Sequence, residues 1–170
     1  MLALCTLSLW SCKGKGKDSS DNDSAKTNTA TSDAPAASPS EPKSYTLTFT
    51  PDTVILGKAK EVFVKIRNGK GIELQDPDGK DEGIQITFDL DVTNKNKVGG
   101  NSVFFRTDNF RLLLDNGNAI TESKGGAETV EAESTKQYKE ITYKIPAGSK
   151  PKTLNLFHDE TRVSVSVDIK

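Results

Sequence analysis

Beyond residue 12 the chain carries no thiol: its two cysteines, Cys5 and Cys12, both sit at the start. The rest can form no disulfide of its own, hold no Cys-based zinc or iron–sulfur centre, and do no thiol chemistry. Histidine is almost as scarce. His158 is the single one, so no imidazole pair exists to grip a metal, and its neighbours Asp159 and Glu160 suit a surface loop. No Gly-x-Ser-x-Gly elbow offers a serine nucleophile, and the many acids come without the extra elements that build a glycosidase cleft. The lone tryptophan, Trp10, lies in the N-terminal segment, so a buried Trp packed on a disulfide, the antibody hallmark, is absent. The 23 basic residues nearly cancel the 24 acidic ones, and no basic stripe interleaves with aromatics. Nucleic acid is therefore not an expected partner. Long apolar runs are missing too: the stretch from Leu2 to Leu9 is too short for the roughly 20 residues that span a bilayer. The composition points away from an enzyme.

What is present divides the chain into three parts. Residues 1–12 have the apolar middle and small-residue cut site of a secretory signal. The positive start is missing, because Met1 is followed directly by Leu2. The expectation is a start codon placed late or a signal that was trimmed. The end of this segment, Leu9-Trp10-Ser11-Cys12, resembles the lipobox of bacterial lipoproteins. Leu9 suits the position three before the cysteine and Ser11 the one just before it, whereas Trp10 replaces the usual small residue. Relaxed boxes of this kind resemble those of Bacteroidota lipoproteins. The resemblance implies that Cys12 is freed, acylated and left as the first residue of the mature protein. One acyl chain binds a membrane only marginally and a second makes the anchor firm; the resemblance implies two or three. The implied address is the cell envelope outside the cytoplasm, at the outer membrane. The competing reading is an ordinary apolar N-terminus with an incidental cysteine.

Residues 13–44 are rich in Lys, Ser, Asp, Thr, Ala and Pro and nearly free of large apolar side chains. Such a stretch buries too little surface to offset its ordering entropy, so a disordered tether is expected. About 30 flexible residues span roughly 30 Å, with Pro35, Pro39 and Pro42 stiffening the far end. Lys13, Lys15 and Lys17 would sit beside the lipid, either touching anionic headgroups or serving spacing alone.

From Tyr45 onward the pattern has period two. Leu47 and Phe49 alternate with threonines, and Val62, Val64 and Ile66 with Phe63 and Lys65. Ile84, Ile86, Phe88, Leu90 and Val92 interleave with Gln85, Thr87, Asp89 and Asp91. Phe110, Leu112 and Leu114 follow, then Ile141, Tyr143 and Ile145, and finally Val163, Val165, Val167 and Ile169. Alternation with one polar face marks half-buried antiparallel strands. Turn signals separate the runs: Asn68-Gly69, Asp78-Gly79, Gly99-Gly100, Asn116-Gly117, Gly125-Gly126 and Pro146. No helical stripe of useful length appears. About 125 residues suffice for one core and not two. The expected fold of residues 45–170 is all-β, an antiparallel sandwich of about seven strands.

Three stretches carry a family likeness: residues 84–94 (IQITFDLDVTN), 108–117 (DNFRLLLDNG) and 141–156 (ITYKIPAGSKPKTLNL). They resemble the long alternating strand, the strand with its hairpin turn, and the Ile-Pro corner of the uncharacterised immunoglobulin-like (telokin-like) domains of bacterial lipoproteins. The likeness implies an immunoglobulin-like β-sandwich and brings no catalytic residues. Where the family often has Pro-Gly ahead of the Ile141 strand, this chain has Glu131-Ala-Glu-Ser-Thr-Lys, implying a differently built sheet edge.

Candidate sites remain. The loop with Asp76, Asp78, Asp81 and Glu82 could supply several oxygens to calcium, or be a solvated turn shaped by Pro77 and Gly79. Calcium is the only cofactor suggested. Phe104, Phe105 and Arg106 form an aromatic–cationic spot that suits a binding patch, or one Phe in the core and the other at an edge. Asp23-Ser24-Ala25 and Asp52-Thr53-Val54 resemble the O-glycosylation sites of Bacteroidota secreted proteins, at Ser24 and Thr53. The expected function is that of a lipid-anchored, non-enzymatic envelope lipoprotein that binds a protein or glycan partner. The alternatives are a calcium- or small-ligand module built on residues 76–82, or a passive spacer.

Overall fold

The computed structural model describes residues 41–170; the signal, the acylation candidate Cys12, Ser24 and the tether as far as residue 40 lie outside the described residues. Eleven strands follow one another: β1 (Ser44–Thr50), β2 (Thr53–Leu56), β3 (Val62–Gln75), β4 (Asp81–Asn94), β5 (Val103–Arg106) and β6 (Arg111–Leu114) come first. β7 (Ala119–Ile120), β8 (Ala127–Val130), β9 (Thr135–Pro146), β10 (Pro151–His158) and β11 (Thr161–Ile169) complete the chain. The alternating runs in the sequence fall on β1, β3, β4, β6, β9 and β11, and the segment after the Ile-Pro corner forms β10. The other four strands, β2, β5, β7 and β8, fall outside those alternating runs.

Every pairing is antiparallel. One layer runs β3–β4–β9, with β2 also on β3; the other runs β7–β6–β10–β11. β1 belongs to both. Its residues 44–46 pair with β3 and its residues 47–50 with β11. After β1 leaves β3, β2 takes its place there, pairing from Thr53 opposite Lys65. The result is an all-β antiparallel sandwich of the immunoglobulin-like class. β5 and β8 form a separate ribbon.

The inward positions of both layers build a single core. Ile86, Phe88, Leu90 and Val92 of β4 are fully buried, as are Tyr143 of β9, Leu154 and Leu156 of β10 and Val165 of β11. Burying each such side chain is worth about 1.5–3 kcal/mol against leaving it in water. Phe88 joins Phe49 edge-on at 5.1 Å and stacks on Tyr143 at 6.1 Å. A second aromatic group surrounds Phe105, with Phe110 at 5.7 Å, Tyr138 at 5.6 Å and His158 at 5.6 Å.

Asn68-Gly69 is not the turn that its composition suggests. It lies within β3, where the register against β4 slips between Arg67 and Lys70. This is a β-bulge, at the point where β1 crosses between layers. A Cβ on Gly69 would stand 2.7 Å from Phe49 Cε2 and 2.9 Å from the Leu47 carbonyl oxygen. Close approach of the β1 backbone thus requires glycine here. Gly83 has a second such constraint: its φ is +121° and a Cβ would lie 2.0 Å from the Ile145 carbonyl oxygen.

Candidate functional site

The outer face of the β3–β4–β9 layer is dented rather than flat. β3 bulges at residues 68–69, and β9 bulges where its register against β4 slips between Phe88 and Leu90. Both bulges flank Asp89 of the central strand. Asn68 and Glu140 each take a φ of 56°, a left-handed conformation that non-glycine residues rarely adopt. One carboxylate holds both. Asn68 Nδ2 donates to Asp89 Oδ2 at 2.7 Å, and the Glu140 backbone N–H donates to Asp89 Oδ1 at 2.9 Å. Burial raises the Asp89 pKa, but these two hydrogen bonds, with Lys139 and Arg67 nearby, outweigh it and hold the carboxyl below its ordinary value. The recess so formed has a volume of about 720 Å³, with Arg67, Lys70, Thr87, Gln137 and Lys139 around Asp89. A shallower recess of about 430 Å³ shares Lys70, Thr87 and Glu140 and adds Lys124 and Lys144.

The sequence-predicted aromatic patch splits in two, as strand alternation dictates. Phe105 is fully buried, whereas Phe104 is 57% exposed on the other face of β5. Arg106 is also exposed, and its guanidinium is held by Asp108, with Nε donating to Oδ1 at 3.0 Å. Hydrogen bonding to Arg106 holds the Asp108 carboxyl below its ordinary value. Phe104 and Arg106 line a recess of about 270 Å³ together with Asn109, Phe157, His158 and Asp159. The β10–β11 hairpin supplies its far wall. Phe157 carries the Arg162 guanidinium 5.8 Å from its ring centre. His158 tilts against buried Phe105, so the single histidine is a packing residue with a polar edge.

The acidic loop between β3 and β4 does not assemble the calcium set suggested by its sequence. Asp76 Oδ1 accepts the backbone N–H groups of Asp78 at 3.0 Å and Lys80 at 2.8 Å. Asp81 Oδ1 accepts the N–H of Gly83 at 2.7 Å. These bonds shape the turn and draw the acidic groups onto the backbone. Among the described residues no group of three or more His, Cys, Asp or Glu side chains is placed to hold a metal ion, so Asp76, Asp78, Asp81 and Glu82 do not converge. Thr53, the second glycosylation candidate, is half-buried at the start of β2, opposite Lys65.

The dented sheet face is the feature that reading the sequence missed. Its signal was present as a slip in phase. The buried residues Tyr138 and Ile141 are three apart, whereas Ile141, Tyr143 and Ile145 keep a spacing of two. An extra residue in a strand is what a bulge is. With the geometry in place, comparison with known proteins adds no neighbour: the chain matches no family model, no curated protein and no solved structure.

Proposed function

We propose that this chain is a lipid-anchored lipoprotein of the bacterial cell envelope, and that its immunoglobulin-like sandwich binds an envelope protein without catalysing a reaction. The lipobox-like run to Cys12 supports the anchor, and the polar stretch of residues 13–44 supports a tether that carries the domain away from the membrane. The telokin-like resemblance supports the same placement. The single observation behind the binding role is Phe104. A sandwich that buries Phe49, Phe88, Phe105 and Phe110 leaves this ring 57% exposed beside Arg106 and Phe157, over a recess. Aromatic rings and arginine dominate the energetics of protein interfaces, and a recess lets them be desolvated.

Affinity capture tests this reading. The full chain in non-ionic detergent is incubated with envelope extract, and Phe104→Ala is run in parallel. The substitution removes an exposed side chain and leaves stability within about 0.5 kcal/mol. Loss of a hot-spot ring costs about 2 kcal/mol of binding or more. The expected outcome is a protein enriched by the wild type and depleted at least about tenfold by Phe104→Ala. Equal enrichment by both chains, or enrichment of glycan alone, contradicts the proposal.

A further inference from the structure

The dented face between β3 and β9 has a lopsided hydrogen-bonding inventory. Each of its carboxylates already accepts from a donor of the protein. Asp89 uses one oxygen for Asn68 and the other for the Glu140 N–H. Glu140 Oε2 accepts from Lys124, and Asp91 Oδ1 accepts from Arg67 NH2 at 2.6 Å. Its donors are left over. Among the described residues Lys70, Lys139 and Lys144 make no ion pair. Arg67 Nε is buried and has no hydrogen-bond partner. Five cations, Arg67, Lys70, Lys124, Lys139 and Lys144, line the two adjoining recesses against two carboxylates, Asp89 and Glu140. This occurs in a chain whose net charge is −1.

We infer that these two adjoining recesses together bind an acceptor-rich oligoanion, a ligand bearing two or more phosphate or sulfate groups. A surplus of cationic N–H donors over carboxylates is complementary to oxyanions, which offer acceptors only. The lysines act as point charges rather than bidentate forks, so they suit a phosphate or sulfate whose orientation varies. The larger recess, of about 720 Å³, lies within the roughly 300–1,000 Å³ of small-ligand sites. Bulges beside a site re-aim the flanking side chains, and here the Asp89 staple fixes both bulges before any ligand arrives. The site is independent of Phe104 and of the protein-binding proposal.

Calorimetric titration of the full chain in non-ionic detergent with sodium tripolyphosphate at low salt tests the inference. The site variant is Lys70→Gln, Lys139→Gln and Lys144→Gln together; the control is Lys97→Gln, Lys150→Gln and Lys152→Gln, with the same change in net charge. The wild type and the control should bind alike, and the site variant at least about tenfold more weakly, since three exposed charge contacts together amount to that much. Raising the salt should weaken wild-type binding, as the Debye length shrinks from about 30 Å at 0.01 M to 8 Å at 0.15 M. A thermal melt confirms that each variant is folded, and Lys139→Glu alone serves if the triple variant is not. No binding of tripolyphosphate up to millimolar concentration overturns the inference. So does equal loss in the control.

Discussion

Asp89 shows how one side chain can set a local shape. In the alternating run of β4 it is one more polar residue on the outward face. In the structure it accepts from Asn68 on one side and from the Glu140 backbone on the other, and so holds two strained residues in place. Asp89→Asn keeps the shape but removes the charge, so both ties become neutral hydrogen bonds, the one to Asn68 surviving only with its amide turned to accept. Hydrogen bonds to a charged group are worth about 1.5–3 kcal/mol, and the variant should lose about that much in urea unfolding at neutral pH. The sign with pH follows from the depressed pKa. Asp89 stabilises the fold fully above its ordinary value of 3.8, and that contribution is lost as the pH falls through its lower folded value. The gap between wild type and Asp89→Asn should therefore narrow on acidification to roughly pH 2.5. A gap that does not change with pH would show that the carboxylate is not the tie.

At the level of elements, the β5–β8 ribbon is tied to β4, where Asn94 Nδ2 donates to the Val130 carbonyl oxygen at 3.0 Å, and to β9. The Tyr138 hydroxyl lies 3.1 Å from the Phe105 carbonyl oxygen and 3.3 Å from that of Glu128, one on each strand of the ribbon. Burial, with Glu128 nearby, pushes its pKa up to about 12. The neutral hydroxyl thus stabilises the fold fully below about pH 10 and loses that contribution as the pH rises toward 12. Tyr143, five residues along the same strand, is fully buried with no partner for its hydroxyl. The two tyrosines should respond oppositely to loss of the oxygen. Tyr138→Phe should cost about 1 kcal/mol and speed amide exchange in β5 and β8, whereas Tyr143→Phe should be neutral or stabilising by up to about 1 kcal/mol. Equal losses in urea unfolding would mean that the Tyr143 hydroxyl is also bonded. The longer strands were legible because alternation persists over many residues: β4 shows four fully buried side chains at a spacing of two. β7 has two residues, too few for a period; β5 places the apolar Phe104 outward and β8 buries only Val130, so neither extends an alternating run in the sequence as the equally short β6 does. Asn68-Gly69 misleads because the residues that favour a tight turn also favour a bulge, both needing a left-handed backbone. Which of the two forms is decided by β1 passing alongside, and that contact is remote in sequence.

For the whole molecule, the fold class and the aromatic spot at Phe104 were readable and the two recesses were not. Alternation fixes which side of a strand faces the core, so the separation of Phe104 from Phe105 follows from the sequence alone. The recess beside Phe104 does not, because its other wall, Phe157 and His158, comes from a hairpin some fifty residues farther along the chain. The acidic loop looked like a metal site because carboxylates crowd there in sequence, yet Asp76 and Asp81 fold back onto neighbouring N–H groups. The proposed molecule is thus a small sandwich held near a membrane through Cys12, with an aromatic recess facing one partner class and a donor-rich recess facing another. Site-specific photo-crosslinking in intact cells tests its central claim most directly. A photoreactive phenylalanine analogue replaces Phe104 in one chain and Val98, which is 81% exposed and outside the recess, in another. The account predicts a discrete adduct with one envelope protein from position 104 and none from position 98. The same adducts from both positions, or no adduct from position 104 at full incorporation, would contradict it.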